Sequence, residues 1–447
     1  MTEGAPKVYF ETLGCKVNQY DTDALQNEFK NAGYQILRTR DEALETGDIF
    51  VINTCTVTHL ADRKSRQFIR RFHKHRPNAV VAVIGCYAQT DPETIKQIEG
   101  VDIVLGTEDR KSLVDLVHQI QTKGTKQLLD QVTQGRARRG YEPLRIHPTH
   151  RHRARHFIKV QEGCDQFCSY CIVPYVRGEI RSRPLEDILQ EARNAVTQGF
   201  RELVLTGINL GAYGRDFESG LDLVQLLLTV IELEGDFRIR LSSLEPQEIT
   251  EELIHVASQS PKICPHFHIP LQSGDDHILG LMNRQYTTVD YLNLLKKLRE
   301  NNPRVAITTD VMVGFPGEGA EHFENTLSFV KRAQFSDMHV FQYSERKGTR
   351  AAEFLSQVPS EGKKRRSDIL LKTAANLSYQ YKAQFIGQTL SVLVDKLADG
   401  HAIGLDGHYL KVSFSGFQKQ IVKGEIYPVK ISGLENSNLM GEILDMD

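Results

Sequence analysis

At 447 residues the chain is too long for one ordinary hydrophobic core, so two or three domains are expected. With 40% hydrophobic and 25% charged residues and no apolar run of bilayer length, the composition fits a soluble globular protein and excludes membrane-spanning helices. The net charge of −2 decides little about partners, because nucleic-acid binding depends on where the basic residues lie.

Met1 to Phe10 lacks the basic start and apolar centre of a secretory signal, and a cytoplasmic location with no membrane partner is the expectation. In that compartment seven cysteines, an odd number, do not form a disulfide framework, so their placement is read for metals or catalysis.

In chain order, Val8–Gly14 reads as a strand, Asp21–Gly33 as a helix and Asp48–Asn53 as a second strand. A basic helix from about His59 to His75 follows, then strands at Ala79–Ile84 and Val101–Leu105. Short strands alternating with helices imply a parallel sheet covered on both faces. From Arg136 to His156 the chain carries seven Arg and four His against one acid, Glu142, and reads as a linker.

Six more strand–helix units are expected, with strands near Phe157–Val160, Glu202–Thr206, Arg238–Ser242, His266–Pro270, Val305–Val313 and Asp337–Gln342. With right-handed crossovers they would curl into a partial (βα)6 barrel, three quarters of a TIM barrel. Beyond the basic Lys363–Arg366 and a helix to about Phe385, alternation at Thr389–Lys396, an Asp-Gly turn within Leu405–His408 and a strand at Gly424–Ser432 suit a small five-stranded β-barrel. The whole is an α/β chain: residues 1–120 as a sheet domain, 121–150 as the basic linker, 151–382 as the partial barrel and 383–447 as the β-barrel.

Cys164, Cys168 and Cys171 form a C-x3-C-x2-C loop directly after the first barrel strand. Three soft thiolates on a tight loop suit an iron–sulfur cluster or zinc; zinc wants a fourth protein ligand, and none follows within the loop. Three thiolates on a 4Fe–4S cluster leave one iron open, where the amino and carboxylate groups of S-adenosylmethionine (SAM) can chelate and be cleaved to a 5′-deoxyadenosyl radical. Cys15, Cys55 and Cys86 each follow a strand of the first sheet at its carboxyl end, the edge where such sheets bind ligands, and are expected to hold a second cluster. Three separate buried thiols are the competing reading; Cys264, just before a strand, is expected to be one.

At Thr12–Tyr20, Asn53–Cys55, Gly85-Cys86, Gly163–Gly178, Ser242–Pro246, Pro270–Gly274 and Gly314–Glu318 the sequence resembles the methylthiotransferase branch of the radical SAM superfamily over essentially its whole length, with residues 383–447 resembling the RNA-binding TRAM domain. Within the branch, Gly14–Tyr20 resembles the type that acts on N6-threonylcarbamoyladenosine beside the tRNA anticodon. Asp165 stands where Asn is common, and Val176 where Ala is.

The resemblance implies a radical SAM core cluster on Cys164, Cys168 and Cys171, an auxiliary 4Fe–4S cluster on Cys15, Cys55 and Cys86, and SAM contacts from Gly207, Asn209, Glu245, Gln272 and Asp310. It implies a reaction in which one SAM methylates a sulfur at the auxiliary cluster and a second supplies the radical that takes the C2 hydrogen of the adenine, with an electron donor such as a flavodoxin or ferredoxin. Three basic stretches, Arg63–Arg76, Arg136–Arg155 and Lys363–Arg366, are candidate tRNA contacts. The alternatives are a methylthiotransferase for isopentenyladenosine in tRNA or for a ribosomal protein, and a non-catalytic Fe–S or zinc RNA-binding sensor.

Overall fold

A computed structural model of the chain describes residues 4–123, 128–132, 140–144, 146, 153–398, 400–415 and 421–444. The chain divides into two compact units, one of residues 1–147, 162–183 and 344–349, the other of residues 148–161, 184–343 and 350–447. Among the described residues no helix is long and apolar enough to cross a membrane.

The first unit is built on six strands, β1 (Lys7–Thr12), β2 (Gln35–Ile36), β3 (Ile49–Thr54), β4 (Val80–Gly85), β5 (Ile103–Leu105) and β6 (Leu129–Gln131). All pair in parallel, in the order β2-β1-β3-β4-β5-β6. Because helices cover both faces, β3 and β4 are buried at every position and read as unbroken apolar runs. Val8, Phe10, Ile49, Val51, Ala82 and Ile84 face helices Lys16–Asn31 and Leu113–Lys123, whereas Phe50, Ile52, Val81 and Val83 pack against Ile69 and Phe72 of helix His59–His75.

Two details depart from expectation. The first helix begins at Lys16 rather than Asp21, with Cys15 as its N-cap residue. No Ser, Thr or Asp cap marks that start, and Asn18 and Asp21 are polar positions held by tertiary partners. The two edge strands β2 and β6 were also not expected; at two and three residues they leave no readable period.

In the second unit the six expected strands form at His156–Lys159, Glu202–Thr206, Arg238–Leu241, His266–His268, Ala306–Val313 and Asp337–Gln342. They make two parallel ladders of three. Parallel bridges Ile239↔Ile263 and Ser243↔His268 join the ladders, so spatial order follows chain order. Among the described residues no ladder joins the first strand to the last, and the result is a partial (βα)6 barrel. Helices between the strands bury their apolar stripes against its outside, among them Leu185–Thr197 and Thr288–Asn301.

Helix Ser360–Ala383 leads into a closed barrel of five strands, Thr389–Ala398, His401–Leu405, Lys411–Ser415, Ile426–Glu435 and Asn438–Ile443. The Asp-Gly pair at 406–407 does not make a two-residue hairpin. Residues 406–410 form a longer loop in which the Asp406 carboxylate accepts the Leu410 backbone N–H at 2.8 Å and Tyr409 takes a φ of 68°. A two-residue turn lies at Asn436-Ser437, both at positive φ.

This small barrel packs at the amino-terminal ends of the large one. Arg238 Nη1 and Nη2 donate to the carbonyls of Ser391 (3.0 Å) and Leu405 (2.9 Å), and Arg240 donates to those of Asp406 (2.9 Å) and Gly407 (3.0 Å). His266 stacks on Tyr409 with ring centroids 5.0 Å apart. Both guanidinium groups are held from below by the fully buried Glu202, at 2.6 Å to Arg238 and 2.8 Å to Arg240.

Burial alone would raise the Glu202 pKa, but Arg240 and Arg238 more than offset it and bring it to about 2. A depressed folded-state pKa contributes stability above the ordinary value of 4.5 that is lost as pH falls towards 2. Glu202→Ala, which leaves two buried cations without their carboxylate, is expected to cost about 3–5 kcal/mol at pH 7. Urea unfolding checks this, and the gap between variant and parent should narrow on acidification from pH 4.5.

Candidate active site

The register of the first sheet brings its three cysteines together. Thr54 pairs with Gly85, so Cys55 and Cys86 leave adjacent strands side by side, and Thr12 pairs with Asn53 one strand over, three residues before Cys15. Gly14, at φ +108°, lies so close to Cys55 that an added Cβ would meet Cys55 Cβ at 2.8 Å. Burial, then the neighbouring Cys86 and Cys15 sulfurs, push the Cys55 thiol up to about 12. The Cys86 thiol is likewise raised by burial, with Arg177 acting in the opposite direction. Thiols this costly to ionise in isolation suit a site whose charge is supplied by a bound metal.

Cys164, Cys168 and Cys171 lie on a loop of the same compact unit, all at intermediate exposure. The loop is pinched at its neck: an added Cβ on Gly163, at φ +80°, would fall 1.7 Å from the Glu179 carbonyl, and Cys164 N–H donates to the Gly178 carbonyl at 3.1 Å. Within the loop Cys171 N–H donates to Cys168 O at 2.9 Å, and Phe167 adopts φ 45°. Among the described residues no three His, Cys, Asp or Glu side chains gather tightly enough to hold a single metal ion. A 4Fe–4S cluster asks for a wider spread, because each thiolate binds its own iron. Cys264 is buried at 3% exposure, and burial raises its thiol to about 11.

A buried ionic network, not foreseen from the sequence, runs through this unit. Arg177, six residues after Cys171, donates from Nε to Cys86 Sγ at 3.4 Å, from Nη1 to Glu162 at 2.5 Å and Asp21 at 3.2 Å, and from Nη2 to Asn18 Oδ1. Arg110 pairs with Asp21, with Glu142 at 2.7 Å and with Glu162 at 3.2 Å. Burial works against both guanidinium charges, yet the surrounding carboxylates, and for Arg177 also Cys86, leave both pKa values raised. Asn18 holds the arrangement to the sheet by donating to the carbonyls of Leu13 (2.8 Å) and Thr54 (3.0 Å). The only signal in the sequence was that Asn18 and Arg177 fall inside the stretches that carry the family resemblance.

In the second unit, four of the five expected SAM contacts lie at or just beyond the carboxyl ends of barrel strands. Asn209, 4% exposed, donates from its backbone to Gln161 Oε1 at 2.8 Å and from Nδ2 to Glu248 at 2.9 Å. Gly207 lies against the same Gln161 side chain. Glu245 pairs with Arg284, and its backbone donates to Glu248 at 3.3 Å. Glu248, missed in the sequence, therefore joins Asn209 to Glu245 and also meets Arg215 at 2.9 Å. Burial lifts its pKa to about 7 against the opposing pull of Arg215 and Asn209.

Gln272 is buried in a left-handed conformation at φ 63°, and among the described residues its Oε1 has no hydrogen-bond partner. That orphaned acceptor is the local observation that fits a missing donor such as the amino groups of SAM. Asp310 differs from the others: it is clasped by His268 and His339, each at 3.2 Å, which hold its carboxyl well below the usual range despite burial.

Of the three basic stretches, helix His59–His75 exposes Arg63, Lys64, Arg70, Arg71 and Lys74. Most of Arg136–Arg155 lies outside the described residues; Arg155 pairs with Asp395 at 3.7 Å. Lys363–Arg366 is not a four-charge surface patch. Arg366 is buried on Glu318, and Lys363 lies over the Tyr343 ring, 4.9 Å from its centroid, leaving Lys364 and Arg365 exposed.

An open parallel barrel with a C-x3-C-x2-C loop after its first strand defines a radical SAM enzyme, and the Radical SAM superfamily model matches residues 158–330. Residues 7–106 match the model of uncharacterized protein family UPF0004. The threonylcarbamoyladenosine tRNA methylthiotransferase MtaB of Bacillus subtilis is 41% identical, over 95% of this chain and 93% of its own length. Its Thermotoga maritima counterpart is 35% identical, over 98% of this chain and 97% of its own. The tRNA-2-methylthio-N(6)-dimethylallyladenosine synthase of Acetivibrio thermocellus is 34% identical, over 99% and 92%. In fold, the radical SAM methyltransferase TsrM of Kitasatospora setae, with cobalamin and a [4Fe-4S] cluster bound, is similar at a TM-score of 0.57 and 15% identity, over 78% of this chain and 77% of that one. The chain belongs to the radical SAM methylthiotransferase family and is a transferase; the family implies SAM and a 4Fe–4S cluster as cofactors.

Proposed function

We propose that the chain methylthiolates C2 of N6-threonylcarbamoyladenosine next to the tRNA anticodon, in the cytoplasm, with two SAM molecules, two 4Fe–4S clusters and an electron donor such as a flavodoxin or ferredoxin. The observation that carries the reading is the convergence of Cys15, Cys55 and Cys86 on one sheet edge, in the same compact unit as the Cys164–Cys171 loop. In this reading residues 1–120 hold the auxiliary cluster, 121–150 are a linker, 151–382 are the radical SAM core and 383–447 bind RNA.

When bound, the clusters and SAM supply a radical able to take a hydrogen from an aromatic carbon and a sulfur to replace it, chemistry no side-chain base provides. The chain's own residues bind and orient. Cys164, Cys168 and Cys171 would hold the SAM cluster, and Cys15, Cys55 and Cys86 the auxiliary one. Asn209, Gly207 and Glu245, braced by Glu248, would line the SAM site, and Gln272 Oε1 would accept from it. Asp310, already engaged by two histidines, would orient them rather than bind SAM through a vacant carboxylate.

Nucleoside analysis of tRNA from a deletion strain tests the substrate. Loss of the methylthiolated threonylcarbamoyladenosine is expected; loss of the methylthiolated isopentenyladenosine instead would reassign it. Charge reversal of the exposed pair Lys364 and Arg365 is expected to weaken tRNA binding and to lower the slope of log affinity against log salt by about 2. An unchanged slope removes this helix from the RNA path. Reversal at Arg366 would break the buried Glu318 pair and test stability instead.

A further inference from the structure

Arg177 is 1% exposed and has every guanidinium nitrogen engaged. Its Nε–H points at Cys86 Sγ, while its Nη2 binds Asn18 Oδ1, which itself lies 3.9 Å from Cys15 Sγ. Asp21 and Glu162 fix the Nη1 side, so the group cannot swing away. The preceding residue is pinned as well, because Thr107 donates to the Val176 carbonyl at 3.0 Å.

The potential of an iron–sulfur cluster follows the hydrogen bonds to its sulfurs and the charge around it. Around this edge two guanidinium groups, Arg177 and Arg110, face three carboxylates, Asp21, Glu142 and Glu162. Against the negative charge of these carboxylates, which disfavours an added electron, the directed Nε–H···S bond works the other way.

We propose that Arg177 is a positioning residue whose Nε–H hydrogen bond to Cys86 Sγ raises the reduction potential of the cluster held by Cys15, Cys55 and Cys86. This rests on the reading that those three cysteines hold a cluster. Arg177 stands on the short helix Val173–Arg177 that leaves the Cys164–Cys171 loop, so the same side chain ties that loop to a ligand of the other trio.

The test uses the full chain with Cys164, Cys168 and Cys171 replaced by alanine, reconstituted anaerobically so that only the auxiliary site can fill. Redox titration read by electron paramagnetic resonance is compared with and without Arg177→Lys, which keeps the charge and removes the Nε–H. The expected result is equal iron content and a reduced-to-oxidised ratio about tenfold lower at a fixed potential, a negative shift of about 59 mV for a one-electron couple. Equal iron and an equal potential overturn the proposal while leaving the two-cluster reading standing. No iron in the parent, with Cys15, Cys55 and Cys86 open to alkylation, overturns that reading and the proposal with it. Should the lysine variant hold no iron, the parent is grown with 15N-arginine: a nitrogen coupling to the reduced cluster is expected in pulsed spectra, and its absence overturns the proposal.

Discussion

Alanine at Cys15, Cys55 and Cys86 together is expected to halve the iron taken up on anaerobic reconstitution and to bring methylthio transfer to background, while 5′-deoxyadenosine still forms from SAM. The two trios stand on separate backbone segments that the Arg177 side chain links. The Cys164–Cys171 loop is closed by its own backbone bonds at Cys164 and Cys171, and none of these uses the β1, β3 or β4 ends. The reciprocal triple variant at Cys164, Cys168 and Cys171 should stop SAM cleavage altogether. Iron and sulfide analysis with chromatography of the nucleoside product checks both, and undiminished iron in the first variant would sink the assignment of a second cluster.

Arg110→Met is expected to have the largest effect on stability in the first unit. Arg110 is 2% exposed and meets three carboxylates, two of them, Asp21 and Glu162, as deeply buried as itself. Removing one partner from a buried ionic network leaves uncompensated charge and costs about 3–5 kcal/mol. For a unit of this size that is a fall of roughly 6–20 °C in the thermal midpoint. Adding Asp21→Asn should recover part of the loss, since it removes a carboxylate the first change stranded; strictly additive losses in a double-mutant cycle would show that the network is not coupled.

How legible these features were depends on whether their cause is local. Strands such as Val80–Gly85 and Glu202–Thr206 declare themselves because parallel strands buried on both faces are continuous apolar runs. The positions of Cys55 and Cys86 followed from those strands, since a parallel register carries the residue after each strand to one edge. The roles of Asp21, Arg110, Glu162 and Arg177 were not legible, because their pairings span as many as 159 residues and leave no period. Lys363–Arg366 shows the converse error: four adjacent cations look like one patch, but helical geometry turns Arg366 inward to Glu318 and lays Lys363 on an aromatic ring.

The guanidinium groups of Arg238 and Arg240 bind four main-chain carbonyls of the five-stranded barrel, and this fixes how far that barrel can act as a separate module. A tethered RNA grip would tolerate excision, losing affinity alone. Here excision would strip the acceptors from two cations and uncover His266 at the floor of the large barrel. A truncated protein would therefore report on folding before it reported on RNA, and the cleaner probes are surface substitutions on the outer strands.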